Sequence, residues 1–431
     1  MSNSFFTKSQ LQQFVKIRRQ YKFIKKFINI GTISGFLLFG VTVLAVILAN
    51  SSYSKEYFEF FATDLSINFG THIFSMSMLH WVNDVLMALF FLVVGLEIKR
   101  DMLVGELSSV KKASFPIIAA FGGMVVPALV YLSLNSEYPS GFGVPMATDI
   151  AFALGIILLL GNRVSMSIKL FLVTLAVVDD LGAIVVVAIF YTTELHYIYF
   201  LYSAITYALL ILLNYFGVRK LIPYIVLGVF LWIFVHSSGV HSTIAGVMLA
   251  FTIPLKEPIK KKKKKDYEEE TTPPLEKLEH ALHNFSAFII MPLFAFANAG
   301  VVVDFSSVVE HKFIVLGVAL GLVIGKPVGI FLFTYLSTVL KISVKPASVT
   351  WAEIIAVGFL AGIGFTMSIF ISHLAFTDES ITSAVKIGIF ASSISAAIIG
   401  SILLIILGKK KESLSSFTAQ AVEVKKKKSK A

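Results

Sequence analysis

The 431-residue sequence contains no cysteine and few charged residues. Without cysteine, the protein can have no disulfide bond, thiolate metal site or cysteine nucleophile. Charged residues make up 15% of the chain and hydrophobic residues 56%, and the mean hydropathy is +0.83. This balance excludes a soluble multi-domain protein and predicts an all-α polytopic membrane protein with one transmembrane domain.

The N-terminus lacks the pattern of a removable signal peptide. Its first apolar run is too long for a signal core and no small-residue cleavage site follows it, so we expect a retained first helix. The net charge of +11 does not indicate a nucleic-acid partner, because lysine and arginine lie in short blocks between apolar runs. Positive charge beside apolar runs is first a signal of membrane topology.

The apolar runs predict about twelve transmembrane helices. They lie near 30–50, 81–98, 115–134, 142–161, 168–192, 197–216, 220–236, 239–255, 284–303, 313–337, 354–374 and 382–408. Lysine and arginine are concentrated in the loops after even-numbered spans, whereas acidic residues dominate the loops after odd-numbered spans. The positive-inside rule therefore predicts that both termini are cytoplasmic.

The segments around the spans complete the predicted organisation. It comprises a basic cytoplasmic N-terminus, 1–29; a single transmembrane domain, 30–408, with an external hairpin, 51–78, and a charged cytoplasmic loop, 256–280; and a lysine-rich cytoplasmic tail, 409–431. We expect the polar tail to be disordered. The six lysines of the loop are interpreted as a solvated topology anchor, with binding of anionic lipid headgroups as the alternative.

The fifth span, Leu170–Ile189, carries two adjacent carboxylates, Asp179 and Asp180, near its middle. An ionised aspartate at the centre of a membrane helix costs about 2.5–3.5 kcal/mol, so the pair needs water, a cation, a proton or a buried base. Consecutive helical residues point about 100° apart. One carboxylate can therefore face a cavity and bind a cation while the other pairs with a base on a neighbouring helix. A purely structural ion pair is the alternative.

Two other spans carry ionisable residues that need partners. Asp149 lies in the fourth span beside Thr148 and after Pro145, which predicts a broken or kinked helix. Lys326 lies in the tenth span with about a dozen apolar residues on either side, too deep to reach water. We therefore expect Lys326 to find an acid inside the helix bundle. A kinked helix with a satisfied polar turn is the alternative interpretation of Asp149.

The eleventh span contains Gly362 and Gly364 followed by Thr366. Small residues also serve helix packing in membranes. Together with the fourth span, however, they match the pattern of secondary transporters, in which hydrophobic segments in two halves are interrupted by glycine or proline. Spans 3–5 and 10–12 would then be inverted repeats, with two broken helices crossing at the midplane. Asp149 could neutralise the positive helix ends there and Lys326 the negative ends.

At these residues the sequence resembles the NhaA-type bacterial sodium/proton antiporters. The matching stretches run in order from residue 80 to 375. They are Asn83–Asp84, Gly95–Arg100 (GLEIKR), Met146–Phe152 (MATDIAF), Val178–Ile184 (VDDLGAI), Gly239–Gly246 (GVHSTIAG), Leu278–His283 (LEHALH), Phe294–Gly300 (FAFANAG), Gly325–Pro327 (GKP) and Gly362–Thr366 (GIGFT).

The resemblance implies an antiporter of the bacterial inner membrane that expels Na⁺ or Li⁺ in exchange for entering protons, for pH and sodium homeostasis and with several protons per sodium. It implies that Asp180 is the cation- and proton-binding carboxylate, that Asp179 is its partner and is associated with Lys326, and that Thr148 and Asp149 lie at the helix crossing with the broken eleventh span. Asp180, Asp179 and Thr148 would together form the cation- and proton-binding site. Na⁺ and H⁺ would compete for this site. The resemblance also implies a homodimer contacting membrane lipid, joined partly through the external hairpin, and no cofactor.

The resemblance also implies a pH-response region at a cytoplasmic funnel. Its members would be Glu97, Arg100, Asp101, His241, Glu279, His280 and His283. Asp101 stands where the family pattern has glutamate, Asn284 where a proline often follows the histidine, and the lysine run is an insertion. These departures bear on the pH threshold and leave the transport reaction untouched.

Three other functions fit the sequence less well than cation/proton exchange. A sodium-coupled symporter of an organic solute would use a similarly broken bundle but needs a roomier site with solute-binding donors. An intramembrane aspartyl protease needs two carboxylates facing each other from different helices, whereas these two are sequential and diverge. A passive channel does not need a buried aspartate–lysine partner.

Overall fold

The computed structural model describes residues 33–69, 72–192, 195–255 and 273–428. The basic N-terminus predicted at 1–29 and the six-lysine run lie outside these residues. The helices are α1 Ile33–Ala49, α2 Ser54–Ala62, α3 Met78–Val104, α4 Val110–Leu134, α5 Ile150–Leu159, α6 Met166–Phe190, α7 Tyr197–Tyr215, α8 Leu221–Ser237, α9 Ile244–Thr252, α10 Pro274–Asn298, α11 Phe305–Glu310, α12 Lys312–Val339, α13 Trp351–Ala361, α14 Phe365–Ala375 and α15 Glu379–Lys428. One antiparallel hairpin pairs β1, Asp64–Phe69, with β2, His72–Ser77.

The helices confirm the prediction of a helical protein that crosses a membrane several times. Among the described residues, eight helical stretches are long and apolar enough to span a bilayer, or ten if each of two bent pairs is one span. Predicted spans 220–236 and 239–255 correspond to α8, with 17 residues, and α9, with 9. Both are shorter than the about 20 residues of a straight span. The number twelve therefore stays a prediction.

Large apolar side chains are exposed along several of these helices. On α7, Tyr197 is 80% exposed and Ile198 66% exposed, and on α8 Ile222 is 72% exposed. Exposed apolar surface of this extent requires an apolar solvent or partner, because a soluble protein exposes only small apolar patches. These faces are where a bilayer contacts the protein.

The predicted external hairpin at 51–78 is wrong in its first half. Residues Ser54–Ala62 form α2, because this stretch has no glycine or proline and its exposed Lys55 and Glu59 lie one turn apart at 3.7 Å. The hairpin itself begins at Asp64 and ends at Ser77. Polar and apolar residues alternate partly over the whole stretch, so the sequence pattern does not show where the helix ends and the strand begins.

Two further boundaries differ from the prediction. The charged loop predicted at 256–280 ends earlier, because α10 begins at Pro274, a residue type favoured in the first helical turn. Leu275 and Leu278 are buried at helical spacing, so this part is amphipathic. The tail predicted to be disordered from residue 409 continues α15 to Lys428. This stretch has no glycine or proline and is rich in lysine, a residue with good helix propensity.

Helices α4 and α12 pack with their backbones in contact. A Cβ atom added at Gly122 would clash with the carbonyl oxygen of Gly329, and one added at Gly329 would clash with that of Gly122. Only glycine allows two helix backbones to approach so closely. The contact is reciprocal, and it holds the helix that carries Lys326 against α4.

Candidate functional site

Two interrupted helices cross in the middle of the bundle. A 3₁₀ helix, Pro139–Met146, ends in extended backbone at Ala147 before α5 begins at Ile150. Helices α13 and α14 are separated by Gly362–Gly364 and bent by 52°. The two breaks contact each other directly, because the Asp149 N–H donates to the carbonyl of Ile363 at 2.7 Å. Four helix ends therefore meet in one place.

Asp149 neutralises two helix N-termini at once. The residue is fully buried and caps α5, where its Oδ1 accepts the N–H of Phe152 at 3.1 Å. Its Oδ2 accepts the N–H of Thr366 in the first turn of α14 at 3.1 Å, and it also accepts the Thr366 hydroxyl. A carboxylate at a helix N-terminus is stabilised by the exposed N–H groups and by the helix dipole. The structure thus gives Asp149 positive helix ends as neighbours.

Lys326 lies opposite, at a negative helix end. A π-helical turn, Gly321–Gly325, precedes it in α12. Its Nζ donates to Asp179 Oδ2 at 2.8 Å and to the carbonyl of Met146, the last residue of the 3₁₀ helix, at 2.5 Å. Lys326 is 1% exposed and Asp179 2%. The ion pair is therefore removed from solvent, and Lys326 also compensates a helix C-terminus.

Thr148 completes this ion pair. Its hydroxyl oxygen accepts from Lys326 Nζ at 2.5 Å and lies 2.5 Å from Asp179 Oδ2 and 2.9 Å from the carbonyl oxygen of Ala361. A hydroxyl has a single hydrogen, so it donates to only one of the two acceptors at a time. Thr148 thus contacts the ion pair of Asp179 and Lys326 directly.

Asp180 is the carboxylate that forms no ion pair with a base among the described residues. It is 2% exposed, and no hydrogen bond or ion pair joins its side chain to another residue in the described parts of the chain. Its neighbour Asp179 has one buried oxygen, Oδ1, without a hydrogen-bond partner. A buried carboxylate without a partner is strongly disfavoured unless a proton or a cation neutralises it. This arrangement can hold one positive charge that the protein itself does not supply.

The site is not a preassembled metal cage. The described residues contain no group of three or more histidine, aspartate or glutamate side chains that could hold a metal ion. A monovalent cation here would take further oxygen ligands from backbone carbonyls and water. Such a ligand set suits an ion that binds reversibly.

A second group of charges joins α3 to α10. Arg100 lies 3.2 Å from Asp101 and 3.3 Å from Glu279, and His283 Nδ1 lies 3.2 Å from Glu97 Oε1. These five residues are brought together as the resemblance implied, and we call them the Arg100 cluster. His280 is exposed on the same helix, α10.

His241 lies away from the Arg100 cluster. It precedes α9, where its Nδ1 is 2.8 Å from Thr243 Oγ1. The adjacent Ser242 donates to Asp84, which is thirteen residues from Glu97 along α3, or roughly 20 Å at the helical rise. The structure therefore places this histidine at the opposite end of the bundle.

Sequence reasoning missed an amide pair that joins the same two helices. The side chains of Asn83 on α3 and Asn298 on α10 exchange hydrogen bonds at 3.1 and 2.7 Å. Both asparagines lie in the motifs quoted above, but the sequence does not show that they face each other. Ser393 was also missed: its hydroxyl accepts the N–H of Phe365, the first residue of α14, at 3.2 Å. That residue has a φ of 22°, a strained value outside glycine.

Comparisons with known proteins point to one family. Residues 25–404 match the family model described as Na⁺/H⁺ antiporter 1. A relative from Aliarcobacter butzleri named Na(+)/H(+) antiporter NhaA 2 is 71% identical over 389 residues, covering 90% of this chain and 98% of the relative. Another, the Na(+)/H(+) antiporter NhaA of Helicobacter pylori, is 49% identical over 420 residues, covering 90% and 96%.

One solved structure is similar in fold. The sodium proton antiporter MjNhaP1 from Methanocaldococcus jannaschii superimposes with a TM-score of 0.50. The match covers 92% of this chain and 99% of that chain at 9% sequence identity. At that identity the likeness concerns the fold alone.

Proposed function

The chain belongs to the Na⁺/H⁺ antiporter 1 family and exchanges sodium ions for protons, and we propose that both ions bind in turn to the carboxylate of Asp180. One observation carries the proposal. Of two adjacent buried carboxylates, Asp179 is neutralised by Lys326 at 2.8 Å, whereas no described residue neutralises Asp180. The negative charge of Asp180 is therefore left for the transported ion to neutralise.

The proposed reaction is a competition for one negative charge. An ionised Asp180 away from water is stabilised by binding Na⁺ or H⁺. Once either ion has neutralised the carboxylate, the carboxylate no longer attracts the other ion. Na⁺ arriving from one side displaces the proton, and a proton arriving from the other side displaces Na⁺. The charges of Asp179 and Lys326 already cancel, so the pair can remain intact through the cycle.

We propose that the crossing of the two broken helices lets the site face either side alternately. Support comes from the backbone bond between Asp149 and Ile363 and from the reciprocal contact of Gly122 with Gly329. A reciprocal contact between α4 and α12 is what inverted repeats related by a twofold axis would produce. Twelve spans and repeats formed by spans 3–5 and 10–12 belong to this proposal.

Further properties follow from the family resemblance. The Arg100 cluster joins two helices through ionisable side chains, which suits a pH response. We also propose transport of Li⁺, several protons per sodium ion, a role in pH and sodium homeostasis, cytoplasmic termini, and a homodimer in the bacterial inner membrane.

Exchange in everted membrane vesicles tests the proposal. Na⁺ added to acidified vesicles should release protons, detected as dequenching of a ΔpH-sensitive dye. Asp180→Asn should abolish the response at every pH while the protein still accumulates in the membrane. Glu137→Gln is the matched control, because Glu137 is an exposed carboxylate outside the site, and it should exchange normally. Normal exchange by Asp180→Asn would remove Asp180 from the ion-binding site.

A further inference from the structure

A second polar cluster lies at the end of the bundle opposite the Arg100 cluster. Asp84 sits in a π-helical turn, Trp81–Leu86, near the start of α3. Its Oδ1 accepts the hydroxyl of Ser242 at 2.9 Å, and its Oδ2 lies 3.9 Å from Nδ1 of His236. The Asp84 side chain retains 15% exposure. The exchange mechanism proposed above uses none of these groups.

A tight turn between α8 and α9 brings the partners of Asp84 together. Gly239 has a φ of 84°, a conformation that glycine adopts readily. His236 precedes this turn and Ser242 follows it. π-Helical turns such as the one holding Asp84 occur frequently at functional sites, because they change the direction in which side chains point.

An aromatic layer separates Asp84 from the site at Asp180. The ring of Phe370 lies 5.8 Å from that of Phe91 and 6.2 Å from that of Phe294, and each of the three is at most 3% exposed. The same buried cluster includes Ile184, one helical turn after Asp180. The layer thus joins α3, which carries Asp84, to α6, which carries Asp180, through buried apolar contacts.

His241 lies where the polar cluster meets the aromatic layer. Its ring packs edge-on against Phe370 with centroids 5.5 Å apart. Its neighbour Ser242 is the residue that donates to Asp84. His236 and His241 are thus the two histidines that lie beside this polar cluster.

We propose that Asp84 forms a second site for the transported monovalent cation, on the far side of the aromatic layer from Asp180. A carboxylate and a hydroxyl oxygen are suitable ligands for a small hard cation, and water can complete the shell at a partly exposed position. This inference rests on the proposed function, because it assumes that the ion travels onward to Asp180. In the predicted topology Asp84 faces the outside.

Exchange measured from each side of the membrane tests the second site. Asp84→Asn should raise the apparent KM for Na⁺ about three- to tenfold when Na⁺ is supplied on the Asp84 side, in right-side-out vesicles, and leave it unchanged in everted vesicles. The matched control is Asp64→Asn, which removes an exposed carboxylate of β1 at the same end of the bundle and should leave both values unchanged.

The outcomes separate the second site from the main one. An Asp84→Asn variant with equal shifts on both sides, or with none, overturns the second site and leaves the cluster as a structural brace of the turn. If that variant fails to accumulate, Ser242→Ala removes only the hydroxyl ligand and must show the same one-sided rise. Normal exchange by Asp180→Asn contradicts the proposed function. The difference between the KM values of Asp84→Asn on the two sides of the membrane is a separate measurement and does not depend on that result.

Discussion

Replacing Lys326 by methionine tests the buried ion pair most directly. Methionine keeps most of the side-chain volume and removes the charge, so Asp179 is left ionised in a dry site. Two unit charges at the observed separation of 2.8 Å attract by about 6 kcal/mol at an effective dielectric constant of 20. Measured losses on removing one partner of a buried pair are about 3–5 kcal/mol. We expect Lys326→Met to lower the free energy of unfolding by about that amount.

The measurement is a double-mutant cycle of unfolding in detergent, followed by tryptophan fluorescence. Asp179→Asn alone leaves the ammonium of Lys326 buried without a counter-charge and should also destabilise the protein. The variant with both replacements has no buried charge at this position, so it should recover most of the loss. A double variant no more stable than Lys326→Met would show that the two residues do not stabilise each other and would refute the ion-pair reasoning.

Other replacements test the helix ends, the helix contact and the charge cluster. Asp149→Ala removes the acceptor of two backbone N–H groups and should cost about 1–3 kcal/mol in thermal unfolding, and a smaller loss is expected for Asp149→Asn; equal losses would contradict the capping role. Gly122→Val should destabilise by about 1–3 kcal/mol because its side chain meets backbone, whereas Gly40→Ala enters open space and should be neutral or slightly stabilising. Arg100→Ala removes the ion pair to Glu279 and should move the pH profile of exchange in everted vesicles; an unchanged profile would exclude the cluster from the pH response.

Hydropathy predicted the long spans because each needs about 20 consecutive apolar residues. It failed where a helix is short or amphipathic. Helix α9 has only 9 residues, and α2 lies in a polar stretch whose charged residues stabilise it as a helix. The start of α10 falls within the predicted loop, because hydropathy detects total apolarity and not the spacing of a few leucines.

The ionisable residues of the site could be found in the sequence because such residues are rare in apolar spans. Their partners were harder to predict, since the contacts join distant parts of the chain. Asp149 meets Thr366 across 217 residues, and Thr148 meets Asp179 across 31. The sequence predicts that one of the two carboxylates pairs with a base. Which carboxylate Thr148 contacts depends on how the two broken helices cross.

Neutral polar pairs escaped prediction for a different reason. Asn83 and Asn298 carry no charge, so their presence in an apolar span does not demand a partner as strongly as an aspartate does. The hydroxyl of Ser393 resembles many serines that bond to their own helix. The contact of Ser393 stands out because Ser393 accepts the N–H of Phe365, whose backbone is strained. Backbone angles cannot be read from a sequence.

The contact of Gly122 with Gly329 has a consequence for motion in the membrane. Side chains between helices act as a compliant layer that can change rotamer when one helix slides, whereas the two glycines here bring main chain against main chain. Any sliding of α12 along α4 would drive main-chain atoms into one another, so these two helices must travel together. Relative movement during transport therefore has to occur between other helices. Lys326, which α12 carries, stays fixed relative to α4.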